Sequence, residues 1–82
     1  LRAASAAADA QAERLVRETL ARSTRDLGRV NVGRLSADGR AQFEQARRFS
    51  QQAEQAIRTR NFNFAATLAD KAASLAADLV GR

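Results

Sequence analysis

The sequence predicts an all-α protein, a slender three-helix bundle whose last two helices form an antiparallel hairpin. Three observations carry that expectation. The chain has no proline, and long stretches of it are strong helix formers, alanine and arginine above all. Apolar and small residues recur at steps of three and four, which puts them on one side of a helix. Breakers gather at two internal places, the run containing Gly28, Gly33 and Gly39 and the turn Asn61-Phe62-Asn63.

The first helix is expected over about residues 2–27. Ala8, Ala12, Val16, Leu20, Ser23 and Leu27 form a narrow stripe along it, and Leu15 widens the stripe. Its first dozen residues offer little but alanine and serine to pack, so this opening predicts a partner outside the helix itself. A connection follows over about residues 28–36. Its glycines read as positions that need positive backbone angles, and Val30, Val32 and Leu35 within it predict a loop folded back over the end of the bundle.

The second helix is expected over about residues 37–60, with the Ser36 hydroxyl as its cap. Phe43, Ala46, Ser50, Ala53 and Ile57 keep the three-four spacing. Phe49 lies roughly 120° around the helix from Phe43 at 100° per residue, which gives the helix two contact directions and predicts that it sits between the other two. Asn61 or Asn63 is expected to cap the third helix, over about residues 62–80. That helix carries Ala65, Leu68, Ala72, Leu75 and Leu79 on one stripe, with Gly81 as a left-handed terminator. So short a turn forces the last two helices antiparallel. Predicted lengths of about 18–25 residues correspond to about 27–38 Å. The packing set is Leu15, Val16, Leu20, Leu27, Phe43, Phe49, Ile57, Phe62, Leu68, Leu75 and Leu79, and all four phenylalanines are assigned to the core. The whole chain is read as one helical domain and, since it opens on Leu1 in place of Met, as a piece of a longer protein.

Composition narrows the chemistry. Cysteine, histidine, methionine, tryptophan and tyrosine are all missing. With them go thiolate and imidazole metal sites, cysteine nucleophiles and histidine bases. No apolar run approaches the roughly 20 residues of a bilayer span. Asp and Glu are the remaining proton carriers, and Glu13–Arg17, Arg22–Asp26, Glu44–Arg48 and Glu54–Arg58 stand four apart, the spacing of exposed ion pairs. A Lys71–Ser74 nucleophile pair beside Asp70 lacks a pocket and an oxyanion donor. The segment Gly28-Arg29-Val30-Asn31-Val32-Gly33 lacks the Lys-Ser/Thr ending of a phosphate loop. No enzyme, cofactor, metal site or small-molecule substrate is predicted.

Net charge is +5, and residues 14–60 hold eleven arginines against five acids. Arg25, Arg29, Arg34 and Arg40 bracket the first connection and are expected to gather at one end of the bundle, where they could meet an anionic partner. GC-rich codon usage gives the same arginine and alanine excess without any function. Nucleic-acid binding is therefore the alternative reading, opposed by the lack of a base-reading helix or exposed aromatics.

Two resemblances add to this. Asn61-Phe62-Asn63-Phe64-Ala65-Ala66-Thr67-Leu68-Ala69-Asp70-Lys71-Ala72-Ala73-Ser74-Leu75 resembles the second helix of a tetratricopeptide repeat. Phe62, Ala65 and Ala72 fall where the repeat has aromatic and small residues, and Phe49 and Ala53 lie near the corresponding first-helix positions. The chain departs from the repeat in having no glycine at Arg60, no terminal proline and no second copy. What is shared is a hairpin in which small residues let two helices approach closely. Over residues 11–79, the stretches Arg25-Asp26-Leu27-Gly28-Arg29-Val30-Asn31, Leu35-Ser36-Ala37-Asp38, Gln52-Ala53-Glu54-Gln55-Ala56-Ile57-Arg58-Thr59-Arg60-Asn61-Phe62 and Leu68-Ala69-Asp70-Lys71-Ala72 resemble the helical tail domains of uncharacterised bacterial envelope proteins. That resemblance implies a bacterial module of the periplasm or cell envelope, and the cytoplasm is the alternative compartment. The expected function is structural or protein-interacting. The expected partner is another protein chain, the rest of the parent chain or a second copy.

Overall fold

The computed structural model describes residues 2–81, with side chains from Ser5 to Gly81. Among these residues there are three α-helices and no strand: α1 Arg2–Gly28, α2 Ala37–Arg58 and α3 Phe62–Gly81, with a single 3₁₀ turn at Val32–Arg34. The all-α bundle is as the periodicity predicts. Ala3 and Ala4, part of the alanine-rich opening, lie outside the residues whose side chains are described.

Each boundary has a local cause. Gly28 is the last residue of α1 and Gly39 lies inside the first turn of α2, so the connection between the helices runs only from Arg29 to Ser36. The Ser36 hydroxyl accepts a hydrogen bond from the Gly39 amide at 3.1 Å, the expected cap. Leu35, half-buried, packs against that same turn. A β-carbon placed on Gly39 would lie 3.2 Å from Leu35 Cβ and Cδ2, so the absence of a side chain is what lets Leu35 approach. At the second turn, Asn61 caps α3: its side-chain oxygen accepts the Phe64 amide and its carbonyl accepts the Ala65 amide.

The glycines do not serve as predicted. Among the described residues no glycine has a positive φ, Gly81 included, and Arg60 alone has one, at 61°. Arg60 is the residue after the C-cap Thr59. Its amide bonds to the Ile57 carbonyl and the Asn61 amide reaches back to Ala56, both at 2.9 Å, the two bonds of a Schellman end. The left-handed position therefore falls on Arg60, where the tetratricopeptide pattern carries a glycine.

The order of the helices is the main correction. The middle helix is α3, in close contact with both α1 and α2, while α1 and α2 meet over only a short stretch. Alanine is the reason. Ala65, Ala69, Ala72 and Ala76 of α3 are fully buried, and Ala66 and Ala73 widen the arc. A helix with small side chains around so much of its circumference can accept two neighbours at short range, whereas the two phenylalanine directions of α2 cannot. Opposite them, Ala46 and Ala53 of α2 and Ser23 of α1 are likewise fully buried. Val16, Leu20, Ala53, Ala56, Ile57, Ala65, Leu68 and Ala69 form one continuous core cluster, with Phe49, Phe62 and Ala66 packed on it.

The chain runs up along α1, down α2 and up α3. Asp9 of α1 meets Arg60 at the α2–α3 turn, and Gln42 near the start of α2 bonds Asp78 and the Leu75 carbonyl near the end of α3. The molecule measures 51 × 17 × 13 Å. No helix of the described residues is long and apolar enough to cross a membrane.

Candidate functional site

Because α3 lies between its neighbours, α1 and α2 leave a groove between them on the face away from α3. It has two halves that join at Thr24. Toward the first connection it is lined by Thr24, Leu27 and Gly28 of α1 and by Phe43, Arg47, Ser50 and Gln51 of α2. Toward the middle of the rod it is lined by Arg17, Leu20, Ala21, Thr24 and Arg25 of α1 and by Glu54 of α2. Apolar contact on this groove comes mainly from Leu20, Leu27 and Phe43. Leu27 and Phe43 are half-buried, against the full packing expected of them.

The walls of the groove differ. On the α1 side Ala21, Thr24 and Gly28 follow steps of three and four, so small residues line one side of that helix. A β-carbon on Gly28 would have nothing within 4 Å. On the rim, Arg17 pairs with Glu13 at 2.9 Å and Arg47 with Glu44 at 3.4 Å, both within their own helices and well exposed. Ser50 has a buried hydroxyl with no hydrogen-bond partner among the described residues, as does Ser23.

The predicted arginine cluster is placed as follows. Arg29 and Arg34 line one cavity at the end of the bundle with Val30, Asn31, Leu35, Ser36, Leu79 and Val80. This is the loop folded back over the bundle end, although Val32 itself is 38% exposed. Arg40 points to the same connection, with Nη2 3.5 Å from the Gly33 carbonyl. Arg25 lies elsewhere, on the α1–α2 groove beside Glu54. Arg29 is 3.8 Å from Asp26.

Several finer expectations change. Of the four predicted ion pairs only Glu13–Arg17 forms. Asp26 turns to Arg29, Glu44 to Arg47, and Arg58 to Gln55, all three residues apart. Three- and four-residue spacings are nearly equivalent on a helix surface, so exposed side chains choose between them freely. Leu15 is 53% exposed and Phe64 is 54% exposed, so neither belongs to the core. Leu15 sits on the flank of a stripe that α3 covers only at its centre. Lys71 lies 5.6 Å over the Phe49 ring, a cation–π contact in place of any partnership with Ser74.

Compared with protein-family models, with curated proteins and with solved structures, the chain matches none.

Proposed function

We propose that this chain is a non-catalytic helical association module. The observation that supports the reading is the α1–α2 groove. Half-buried Leu27 and Phe43 lie there with no element of the described chain over them, while both flanks of α3 are covered. A partner helix laid in the groove would finish a four-helix arrangement and remove that apolar surface from water. The bacterial envelope is proposed as the setting, and sequence resemblance alone supports it.

A photo-crosslinking residue at Thr24, on the groove, and another at Ala77, on an exposed part of α3, test the reading in the cell that makes the protein. Protein adducts at position 24 and none at position 77 are expected. Equal labelling at both sites, or adducts to nucleic acid, would reject it. Arg29 and Arg34 sharing the end cavity favour a second reading, contact with nucleic-acid phosphates. That reading expects salt-sensitive binding to mixed-sequence duplex DNA.

A further inference from the structure

We propose that the occupant of the α1–α2 groove is a single acidic amphipathic helix of another protein, about three turns long. This deepens the association reading and rests on it.

Length comes from the lining. The groove extends from Arg17 to Gly28 along α1, eleven rises of about 1.5 Å, or roughly 16 Å. Approach comes from the small wall of Ala21, Thr24 and Gly28, which lets a helix come close, with Leu20, Leu27 and Phe43 as the apolar bed. Recognition of this kind uses a stripe of apolar anchors at three-four spacing.

Charge selects the partner. Arg17, Arg25 and Arg47 stand on the lining against the single acid Glu54. Arg17 and Arg47 are held only by exposed glutamates of their own helices, pairs that contribute little and exchange easily. Carboxylates flanking the apolar stripe of an incoming helix would meet all three guanidiniums and face Glu54 at one place only. Such complementarity sets partner choice and the rate of encounter.

A second copy of the chain fits poorly. Its α1 and α2 carry more base than acid, and α3, with Asp70 and Asp78 against Lys71, is the one helix with more acid than base. The apolar stripe of α3 is already consumed by Ala65, Leu68, Ala72, Ala76 and Leu79 in its own core. Duplex DNA fits poorly as well, because the bed is apolar and Glu54 faces a bound phosphate.

The test titrates the whole chain into a fluorescein-labelled synthetic helix of about 18 residues, long enough to fold on contact, with a leucine stripe flanked by glutamates. Controls are the same peptide with lysines for glutamates, an acidic peptide of identical composition with the stripe scrambled, and duplex DNA. Binding should be at least about tenfold tighter for the acidic striped peptide than for either peptide control. Arg25→Glu with Arg47→Glu should weaken it about tenfold. Ala21→Trp, at an exposed position, should block the groove to a similar degree while the circular dichroism stays unchanged. Equal binding of the scrambled peptide, indifference to Ala21→Trp, tighter binding of DNA lost in the same variants, or self-association in sedimentation would each overturn the proposal. Should the peptide fail while Thr24 still crosslinks to protein, the association reading stands and this occupant is wrong. Should both fail, the association reading goes too.

Discussion

Arg60 closes the α2–α3 turn in a conformation that costs a residue with a β-carbon about 1–2 kcal/mol. Two contacts accompany it. Its guanidinium reaches Asp9 at 2.7 Å, fifty-one residues earlier, and lies 5.8 Å over the Phe62 ring. The ion pair is exposed on both sides, so its contribution is about 0.2–1 kcal/mol. Relief of the backbone therefore outweighs the lost contacts, and Arg60→Gly should stabilise the protein by about 0.5 kcal/mol in urea denaturation. Asp9→Ala should cost a few tenths of a kcal/mol in the parent and nothing in the Arg60→Gly background, a cycle that isolates the pair. A fall in stability on Arg60→Gly would show that the clamp matters more than the turn. Gly28 gives a simpler case. It is helical, lacks a positive φ and has open space around its α-carbon. Gly28→Ala should raise stability by about 0.5 kcal/mol, because alanine is the better helix former and restricts the unfolded chain. A lower melting temperature would mean that the groove wall there is closed.

At the scale of elements, the fully buried alanines of α3 decide the packing order. Ala72→Leu would push methyl groups into the fully packed interior around α3 and should cost about 2–3 kcal/mol, measured by chemical denaturation. A cost below about 0.5 kcal/mol would contradict the central place of α3. The existence and limits of all three helices were legible in the sequence. Proline is absent, Ser36 and Asn61 are good caps, and leucine, valine and isoleucine mark the stripes at Val16, Leu20, Ile57, Leu68 and Leu79. The order of the helices was not legible. Ala66, Ala69 and Ala76 look the same on a solvent face as in a close interface, since their size favours both, whereas Phe43 and Phe49 give α2 the stronger apolar pattern. The groove was hidden for the same reason, because it exists only once α3 lies in the middle. Arg29 and Arg34 could be placed at one end because they flank a short connection. Arg25, a full turn earlier on α1, could not be.

For the whole molecule, charge separates two roles. Arg29, Arg34 and Arg40 sit at the first connection, away from the central half of the groove. Changing the three to Gln should lower affinity for duplex DNA at low salt and flatten its salt slope by up to about three units. It should leave the melting temperature and the acidic-peptide affinity nearly unchanged, since exposed charges contribute little to folding. Loss of peptide binding in that variant would place the partner at the bundle end.

An odd number of helices, traversed up, down and up, puts Arg2 and Gly81 at opposite ends of a rod 51 Å long. Whatever is joined to the two ends is held apart by that span. Under tension along the rod, α1 would be drawn one way and α3 the other. The load would then fall on the whole seam between those parallel helices in shear, where the packed side chains of α1 and the buried alanines of α3 must slip past one another together, and not on one turn at a time. The bundle would behave as a strut that resists pulling along its axis far better than peeling from its side.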